Sequence, residues 1–285
     1  MKKATDDFSG RVALAALPFA VLLLCMAAVL RSNPAFDPDT AMAESRAGVL
    51  DLSSRGNGVT RVRGEWLFAW REFRTSGGAS DFPRVVSELP GSWKGSGAAE
   101  RYGFATYGLL VTGLEPGKKY ALGFGQTLSA CRVFVNGVES ASAGVPSESR
   151  EGERPRWDYT LAEFSAAADG TADIALQVSN HHDRSGGSNS PFYVGDSRLM
   201  ERMRDAQKLS DGFVFAILAI LGLFFLSLYA LRRKDVLFLW FAGICLVVAF
   251  RTLCYEGFVL LDLAPALPWS AFFRAGYATF PAALG

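Results

Sequence analysis

The segment "RVFVNGVE", from Arg132 to Glu139, has the sequence of a tight β-hairpin. Val133 and Val135 alternate with Arg132 and Phe134, as expected for a strand with one face toward a core. Asn136 and Gly137 then supply the two residues that most readily take the positive φ angles of a type I′ turn. The segment therefore predicts a water-soluble β-domain around it.

The region around this hairpin, from Gly64 to Gly195, shows the same alternation of apolar and polar residues. Turn signals such as Glu115-Pro116-Gly117 and Asp169-Gly170 separate its short apolar segments. Three sets of residues are each predicted to share one buried face: Tyr107, Leu109 and Val111; Tyr120, Leu122 and Phe124; and Ile174, Leu176 and Val178. About eight or nine strands without long helical patterns predict an all-β sandwich of two sheets, most typically a jelly roll.

Three long uncharged runs lie outside this region: Val12–Leu30, Phe213–Leu231 and Val236–Phe250. The first two have the length of a membrane-spanning helix, and the third reaches it if it extends through Leu253. They explain why 50% of the residues are hydrophobic although 20% are charged. A fourth run begins at Trp269 and is cut at Gly285, so we expect the sequence to be the N-terminal part of a longer protein. These runs predict that the protein interacts with a lipid bilayer.

Basic residues predict how the chain is oriented in the membrane. Lys2, Lys3 and Arg11 precede the first run, and Arg232, Arg233 and Lys234 separate the second run from the third. Because Lys and Arg are in excess in cytoplasmic loops, both groups are expected in the cytoplasm and residues from about 31 to 209 outside it. The net charge of +1 indicates no nucleic-acid partner.

These patterns predict five consecutive regions. They are residues 1–31, a cleaved signal sequence or a retained anchor; 32–58, a linker; 59–197, the β-sandwich; 198–212, a linker helix; and 213–285, the start of a multi-helix membrane domain. The linker helix carries Leu199, Met203, Ala206 and Leu209 at helical spacing. It is either a rigid helix that continues into the membrane or a surface helix that covers the base of the sandwich.

Four segments of the β-region together resemble the N-terminal sugar-binding jelly roll of β-galactosidase-type glycoside hydrolases, a galactose-binding-like fold. They are "ELPGSWKG", "YGFATYGLLVTGL", "YALGFGQTLSACRVFVNGVE" and "DIALQVSNHHD". In that family a Pro…Trp segment precedes a Tyr-bearing strand, a V-x-V-N-G hairpin and a late strand that ends in Asn. Because no catalytic barrel follows in this sequence, the resemblance implies a binding-type domain rather than a hydrolase.

The segment "DGFVFAILAILGLFFLSLYALRRKDVLFLWFAGICLVVAFRTLCYEG" resembles the start of the bacterial seven-transmembrane receptors with diverse intracellular signalling modules. Their first membrane helix follows a Gly after a short linker, turns through a basic R-[RK]-D loop and is followed by an aromatic-rich second helix. The resemblance implies a membrane sensor with a jelly-roll outer domain. It further implies a cytoplasmic output domain of the cyclase, kinase or phosphatase type beyond the present sequence.

Ligand contacts are predicted at aromatic residues that border loops. Trp93, Tyr102 and Trp157 could each stack on a sugar ring, and packing in the core or its rim is the alternative for each. Polar partners are predicted close to them: Arg132, Arg154, Arg156 and Asp158.

Catalytic and metal-binding sites are not predicted. Glu139, Glu151, Glu153, Asp158 and Glu163 show no spacing that assigns an acid and a nucleophile. His181, His182 and Asp183 are adjacent on an extended segment and cannot all face one ion, so a polar strand end is the interpretation that we prefer. No cofactor is expected.

We therefore expect a membrane sensor that binds a small, carbohydrate-like ligand, with a homodimer as a compatible assembly. A membrane-anchored carbohydrate-processing enzyme and a protein-binding scaffold are the two alternatives.

Overall fold

The computed structural model describes residues 40–284 with the exception of 56–57, 79–81, 97–99, 126, 128, 184, 255–258 and 265–267. The first uncharged run, and with it the choice between a signal sequence and an anchor, lies outside the described residues. The strands are β1 (Ala41–Ser45), β2 (Val49–Asp51), β3 (Thr60–Trp70), β4 (Val86–Leu89), β5 (Gly91–Ser92), β6 (Gly103–Thr112), β7 (Lys119–Phe124), β8 (Ala130–Val135), β9 (Val138–Ala143), β10 (Thr160–Ser165), β11 (Ala172–Asn180), β12 (Gly187–Ser188) and β13 (Phe192–Asp196).

The strands form a closed sandwich. Hydrogen-bonded neighbours follow the order β10-β7-β13-β3-β6-β11-β8-β9. The long strand β3 belongs to both halves, because its first residues pair with β13 and its last with β6. The two ends of this path meet where Ser140 Oγ in β9 donates a 2.6 Å hydrogen bond to the carbonyl oxygen of Glu163 in β10. The predicted class, an all-β jelly-roll sandwich, is confirmed.

The core of the sandwich consists of the residues that alternation predicted. All nine side chains of the three predicted sets are at most 6% exposed. Aromatic rings fill the space between the two halves, with Phe192 4.8 Å from Phe124 and 5.3 Å from Trp66 between ring centroids. Burial of large aromatic side chains is a main source of folding free energy in a domain of this size.

The opening hairpin has the predicted turn. Asn136 and Gly137 take φ angles of 50° and 78° between β8 and β9. The Asn136 side chain accepts a 2.9 Å hydrogen bond from the backbone N–H of Asp173, and its own N–H donates to the Asp173 carbonyl at 2.8 Å. Asn136 therefore ties the hairpin to β11, which is a structural task rather than ligand recognition.

The predicted linker over 32–58 is wrong in its middle, because β1 and β2 lie there. β1 pairs in parallel with β3, and β2 pairs in parallel with β6. Ala43 and Leu50 enter the core, at 3% and 0% exposure. These strands are only five and three residues long, and their partners are remote in sequence, so local alternation is too short to reveal them.

A single helix, α1 (Ser197–Leu231), leaves the sandwich and is 35 residues long. Its first turns cover the outer face of the sandwich: Met200 and Met203 are buried in a cluster with Val59, Ala121 and Tyr193. Its later turns extend beyond the sandwich without interruption. The helix thus covers the sandwich and also continues into the apolar segment. The predicted apolar face is wrong in part, because Leu199 and Leu209 are 36% and 60% exposed and Met200 is buried instead.

The remaining helices are α2 (Val236–Cys254), the short α3 (Val259–Leu263) and α4 (Trp269–Leu284). Within the described residues, α1 and α2 are the two helices long and apolar enough to cross a membrane. They pack on each other through stacked rings, with Phe225 at 5.5 Å from Phe241 and 6.3 Å from Phe238. The basic turn at Arg232–Asp235 joins them, as predicted.

Candidate functional site

At one end of the sandwich, which we call the loop end, the strands β3, β7, β9 and β11 end and the strands β6, β8, β10 and β13 begin. The pairs Asn180–Gly103, Ser179–Ala130 and Phe192–Phe124 define this end in the strand register. The segment before β6 brings the sequence-predicted residues Trp93 and Tyr102 to this end. The segment between β9 and β10 brings Trp157 to it.

The direction of α1 shows that the loop end faces the membrane helices. Ser197 Oγ donates to Glu163 Oε1 at 2.8 Å, and Met200 then lies against Gly123. Further along, Arg204 lies near Tyr159. The pKa of Tyr159 is raised, mainly by burial and also by Tyr193, and the nearby charge of Arg204 offsets part of this rise. The helix thus runs along β10 toward its first residue and passes the loop end before it enters the apolar segment.

Asn180, the last residue of β11, organises the loop end. Its side-chain Nδ2 donates to the carbonyl oxygens of Arg101, Asp183 and Ser185 at 3.3, 3.2 and 3.0 Å. Its Oδ1 accepts from the N–H groups of His182 and Asp183 at 3.4 and 2.9 Å. A buried amide with this many partners holds the segment after β11 in one conformation.

A group of buried polar atoms lies beside this segment. Asp183 is only 6% exposed, and its Oδ1 accepts a 3.4 Å hydrogen bond from the Ser185 N–H. Ser185 Oγ donates to Ser92 Oγ at 3.0 Å, and the backbone N–H of Trp93 donates to the Gly186 carbonyl at 3.2 Å. Asp183 Oδ2, Trp93 Nε1 and Ser188 Oγ are three of the buried side-chain atoms in the described residues that have no hydrogen-bond partner. Such unpaired groups each cost about 1 to 3 kcal/mol of folding free energy.

Tyr102 is the predicted aromatic residue whose ring remains accessible. Its side chain is 45% exposed, and the guanidinium carbon of Arg101 lies 6.0 Å from its ring centroid. Trp93, in contrast, is fully buried and packs edge-on against Trp70 with centroids 5.1 Å apart. The loop end thus combines one open aromatic face with buried polar atoms.

Trp157 has the packing role that was the alternative to ligand contact. Its ring is 2% exposed and belongs to a cluster with Cys254 of α2 and Phe272 of α4. Its neighbours Arg156 and Asp158 form an ion pair with Nη2 and Oδ2 3.2 Å apart. The three residues are together, but the ring faces that a ligand would need contact protein instead.

The remaining predicted polar residues are separated from this group. Arg132 lies on β8 with its Nε 3.4 Å from Glu139 Oε2 in the adjacent strand. Arg154 donates from Nη1 to the carbonyls of Glu151 and Glu153 at 2.7 and 3.1 Å, so it stabilises its own loop.

Sequence reasoning missed the role of Glu153. Its buried carboxylate accepts hydrogen bonds from Ser179 Oγ at 2.5 Å and from the His181 N–H at 3.1 Å, and its Oε2 lies 2.6 Å from His182 Nδ1. No local pattern signals this, because the partners are more than 25 residues away in sequence. In the described part of the chain, no three His, Cys, Asp or Glu side chains are grouped to hold a metal ion.

Two clefts that are lined by described residues lie toward the other end of the sandwich. The larger, of about 470 Å³, is open and has side chains of both charges around the start of α1. Its charged side chains are Lys118, Lys119, Glu163, Asp196, Arg198 and Glu201. The smaller, of about 160 Å³, is lined in part by Arg55, Glu115 and Tyr120. Neither contains a residue that the sequence predicted to bind a ligand.

Solved structures similar to this chain include three glycoside hydrolases. A GH2 β-galacturonidase from Eisenbergiella tayi bound to glycerol is 13% identical, with 49% of this chain and 24% of that chain covered and a TM-score of 0.37. A β-glucuronidase from Ruminococcus gnavus in complex with uronic isofagomine is 18% identical, with 48% and 28% covered and a TM-score of 0.35. A β-glucuronidase from an uncultured Clostridium sp. is 12% identical, with 50% and 30% covered and a TM-score of 0.35. This chain therefore spans about a quarter of the length of these proteins. No curated protein matches it.

The fold defines the class: a β-sandwich that continues through one unbroken helix into two helices long and apolar enough to cross a membrane. Residues 207–285 match the family model described as 7TM diverse intracellular signalling. The resemblance expected from the sequence of this segment is confirmed by this match.

Proposed function

We propose that this chain is the sensing part of a bacterial membrane receptor. The β-sandwich lies outside the cytoplasm and binds a small, carbohydrate-like ligand at the loop end. The membrane helices belong to a multi-pass unit in the cytoplasmic membrane, which passes the signal to a cytoplasmic output domain of the cyclase, kinase or phosphatase type. The family match and the basic turn at Arg232, Arg233 and Lys234 support this placement.

The proposed site is based on the buried polar atoms at the loop end that have no hydrogen-bond partner. Asp183 Oδ2 accepts hydrogen bonds, Trp93 Nε1 donates them and Ser188 Oγ does both. Hydroxyl groups satisfy all three kinds of atom, because each hydroxyl donates one bond and accepts others. The open ring of Tyr102 adds a surface on which the apolar face of a sugar ring stacks.

Ligand entry requires the segment after β11 to move, because these atoms are buried in the present conformation. When the ligand's hydroxyl groups form hydrogen bonds with these three atoms, the open conformation with bound ligand becomes more favourable than the closed one. The ligand then acts by a population shift, in proportion to its difference in affinity for the two conformations.

A thermal-shift screen of the full chain in lipid nanodiscs tests this function, with monosaccharides, uronic acids, oligosaccharides and other polyol metabolites as probes. We expect at least one probe to raise the melting temperature of the wild type. Tyr102→Ala should weaken its binding about tenfold, since a stacking contact of about 1.4 kcal/mol corresponds to that factor.

Val138→Ala is the matched control for the Tyr102 variant, because Val138 is 71% exposed in the hairpin at the end away from the loop end. Equal binding by the wild type and both variants would remove Tyr102 from the site. A screen without any stabilising probe would favour the protein-binding alternative.

A further inference from the structure

The sandwich contacts the membrane helices at a second place besides α1. The ring of Trp157 meets Trp269 and Phe272 of α4 edge-on, with centroids 6.2 Å away in both cases, and Tyr277 at 6.5 Å. Cys254, the last residue of α2, is 1% exposed in the same cluster. We call this group of Trp157, Cys254, Trp269 and Phe272 the junction cluster.

The loop that carries Trp157 is firmly held by the sandwich. The backbones of Val145 and Arg154 exchange hydrogen bonds of 2.9 and 3.0 Å, and the Arg156 N–H donates to the Ser129 carbonyl at 3.1 Å. A rigid loop of this kind transfers a displacement of the strand ends to the ring that it carries, rather than absorbing it.

His182 joins the junction cluster to the candidate ligand site. Its ring lies 5.7 Å from that of Trp269, and its Nδ1 lies 2.6 Å from the buried carboxylate of Glu153. In sequence His182 stands directly before Asp183, and the Asn180 side chain accepts hydrogen bonds from the N–H groups of both residues. His182 and Asp183 are thus adjacent in the chain and held by the same Asn180 side chain, which links the candidate ligand site to the junction cluster.

We infer that the junction cluster, with His182 and Glu153, is a signal-transmitting contact between the loop end and helices α2 to α4. In this mechanism the closed loop end holds Trp157 and His182 against Trp269, and its opening separates them. The helix α1 then acts as the pivot rather than as the transmitter. The ligand-dependent part of this inference rests on the proposed function, whereas the contact and its dependence on Trp157 and Glu153 do not.

A neighbouring ion pair adds little to this contact. Lys208 Nζ lies 2.6 Å from Asp262 Oδ2, and it joins α1 to α3. Its side chains are 31% and 56% exposed, and exposed ion pairs of this kind contribute little to stability. The buried aromatic rings are therefore the part of the contact that should respond to mutation.

The first experiment measures maleimide labelling of Cys254 in the full chain in lipid nanodiscs, read by peptide mass spectrometry. Trp157→Ala should raise the labelling rate about tenfold or more, which corresponds to about 1.4 kcal/mol lost from the closed contact. Glu153→Gln should raise it in the same direction, because a neutral amide holds the His182 ring less firmly. Trp157→Phe, which keeps an aromatic ring, should stay closer to the wild type.

Leu114→Ala is the matched control, because Leu114 is buried in the sandwich core but follows β6 at the end away from the loop end. It should leave Cys254 labelling unchanged. Cys131, which is fully buried in the sandwich, reports folding in every variant, because it stays unlabelled while the domain is folded. An unchanged Cys254 rate in a folded Trp157→Ala or Glu153→Gln variant would overturn the inference.

The second experiment tests the reverse direction, since coupling between two sites is reciprocal. Phe272→Ala in α4 should speed hydrogen exchange in the peptide that spans residues 153–159, while the β8–β9 hairpin keeps its protection. Ser270→Ala, at an exposed position of the same helix, is the control.

Exchange in residues 153–159 that is equal in Phe272→Ala and the wild type would contradict the inference. Both experiments work without a ligand, so their failure is distinct from a failure of the ligand screen. Conversely, an unsuccessful screen leaves the result of the two experiments intact.

Discussion

Trp157 of the β-sandwich meets Trp269 of α4 edge to face, with ring centroids 6.2 Å apart and ring planes at 88°. Trp157 is buried and Trp269 is half-buried, and their contact unites two parts of the chain that differ in composition. Aromatic pairs in this geometry contribute about 0.5 to 1.5 kcal/mol beyond the burial of their area. The sandwich is thus attached to the membrane helices by packing as well as by the covalent linker.

The core of the sandwich should depend strongly on Phe124. We expect Phe124→Ala to lower the free energy of unfolding by about 3 to 5 kcal/mol, because it removes a large buried ring from between the two halves. Chemical denaturation of the segment 40–212 measures the change. A loss below about 1 kcal/mol, which is small for a buried Phe, would show that β7 is not central.

Docking of α1 on the sandwich should depend on one face of its first turns. Met200→Ala should cost about 2 to 5 kcal/mol in the same segment, because Met200 is fully buried against Gly123. Leu199→Ala, one residue earlier and 36% exposed, should change stability by no more than about 0.5 kcal/mol. Similar losses in both variants would mean that the helix does not rest on the sandwich by this face.

The β8–β9 turn should be sensitive to backbone conformation alone. Gly137 has a φ of 78° and no atom within 4 Å of an added Cβ, so Gly137→Ala meets conformational strain without a clash. We expect a loss of about 1 to 2 kcal/mol. Gly58 also has free space but no positive φ, so Gly58→Ala should be close to neutral in the same denaturation assay. A neutral Gly137→Ala would argue against the type I′ turn.

The predicted orientation places Lys234 and the region near Gly144 on opposite sides of the membrane. At Lys234, a reporter enzyme that is active only in the cytoplasm should show activity. Near Gly144, a reporter enzyme that is active only outside the cytoplasm should show activity. The expectation follows from the basic turn between α1 and α2. Fusions that report the same side would exclude a single crossing by α1.

Much of the fold was predictable because it follows from local periodicity. Alternation at Tyr107, Leu122 and Ile174 gave the core, and the Asn136-Gly137 pair gave the hairpin. The parallel pairing of β1 and β2 was not predictable, because parallel partners are distant in sequence and the strands are short. Uncharged runs of sufficient length gave the helices α1 and α2.

The site was less predictable than the fold, because an aromatic residue beside a loop has the same sequence signal whether it is open or covered. Tyr102 is open, whereas Trp157 is covered by helices more than 90 residues later in the chain. The role of Glu153 depends on Ser179 and His182, which come near it only through the pairing of β11. Such contacts arise from tertiary structure and have no local pattern.

The most direct test of the sensor function measures hydrogen exchange of the full chain in lipid nanodiscs, with and without a saturating sugar or polyol from the screen. We expect changed protection in two places: the loop-end peptides 91–102 and 181–191, and helix α4 (Trp269–Leu284). The change in α4 should disappear in Trp157→Ala while the change at the loop end remains. Changes confined to the sandwich of the wild type would contradict transmission to the membrane unit, and the absence of any change at the loop end would contradict ligand binding there.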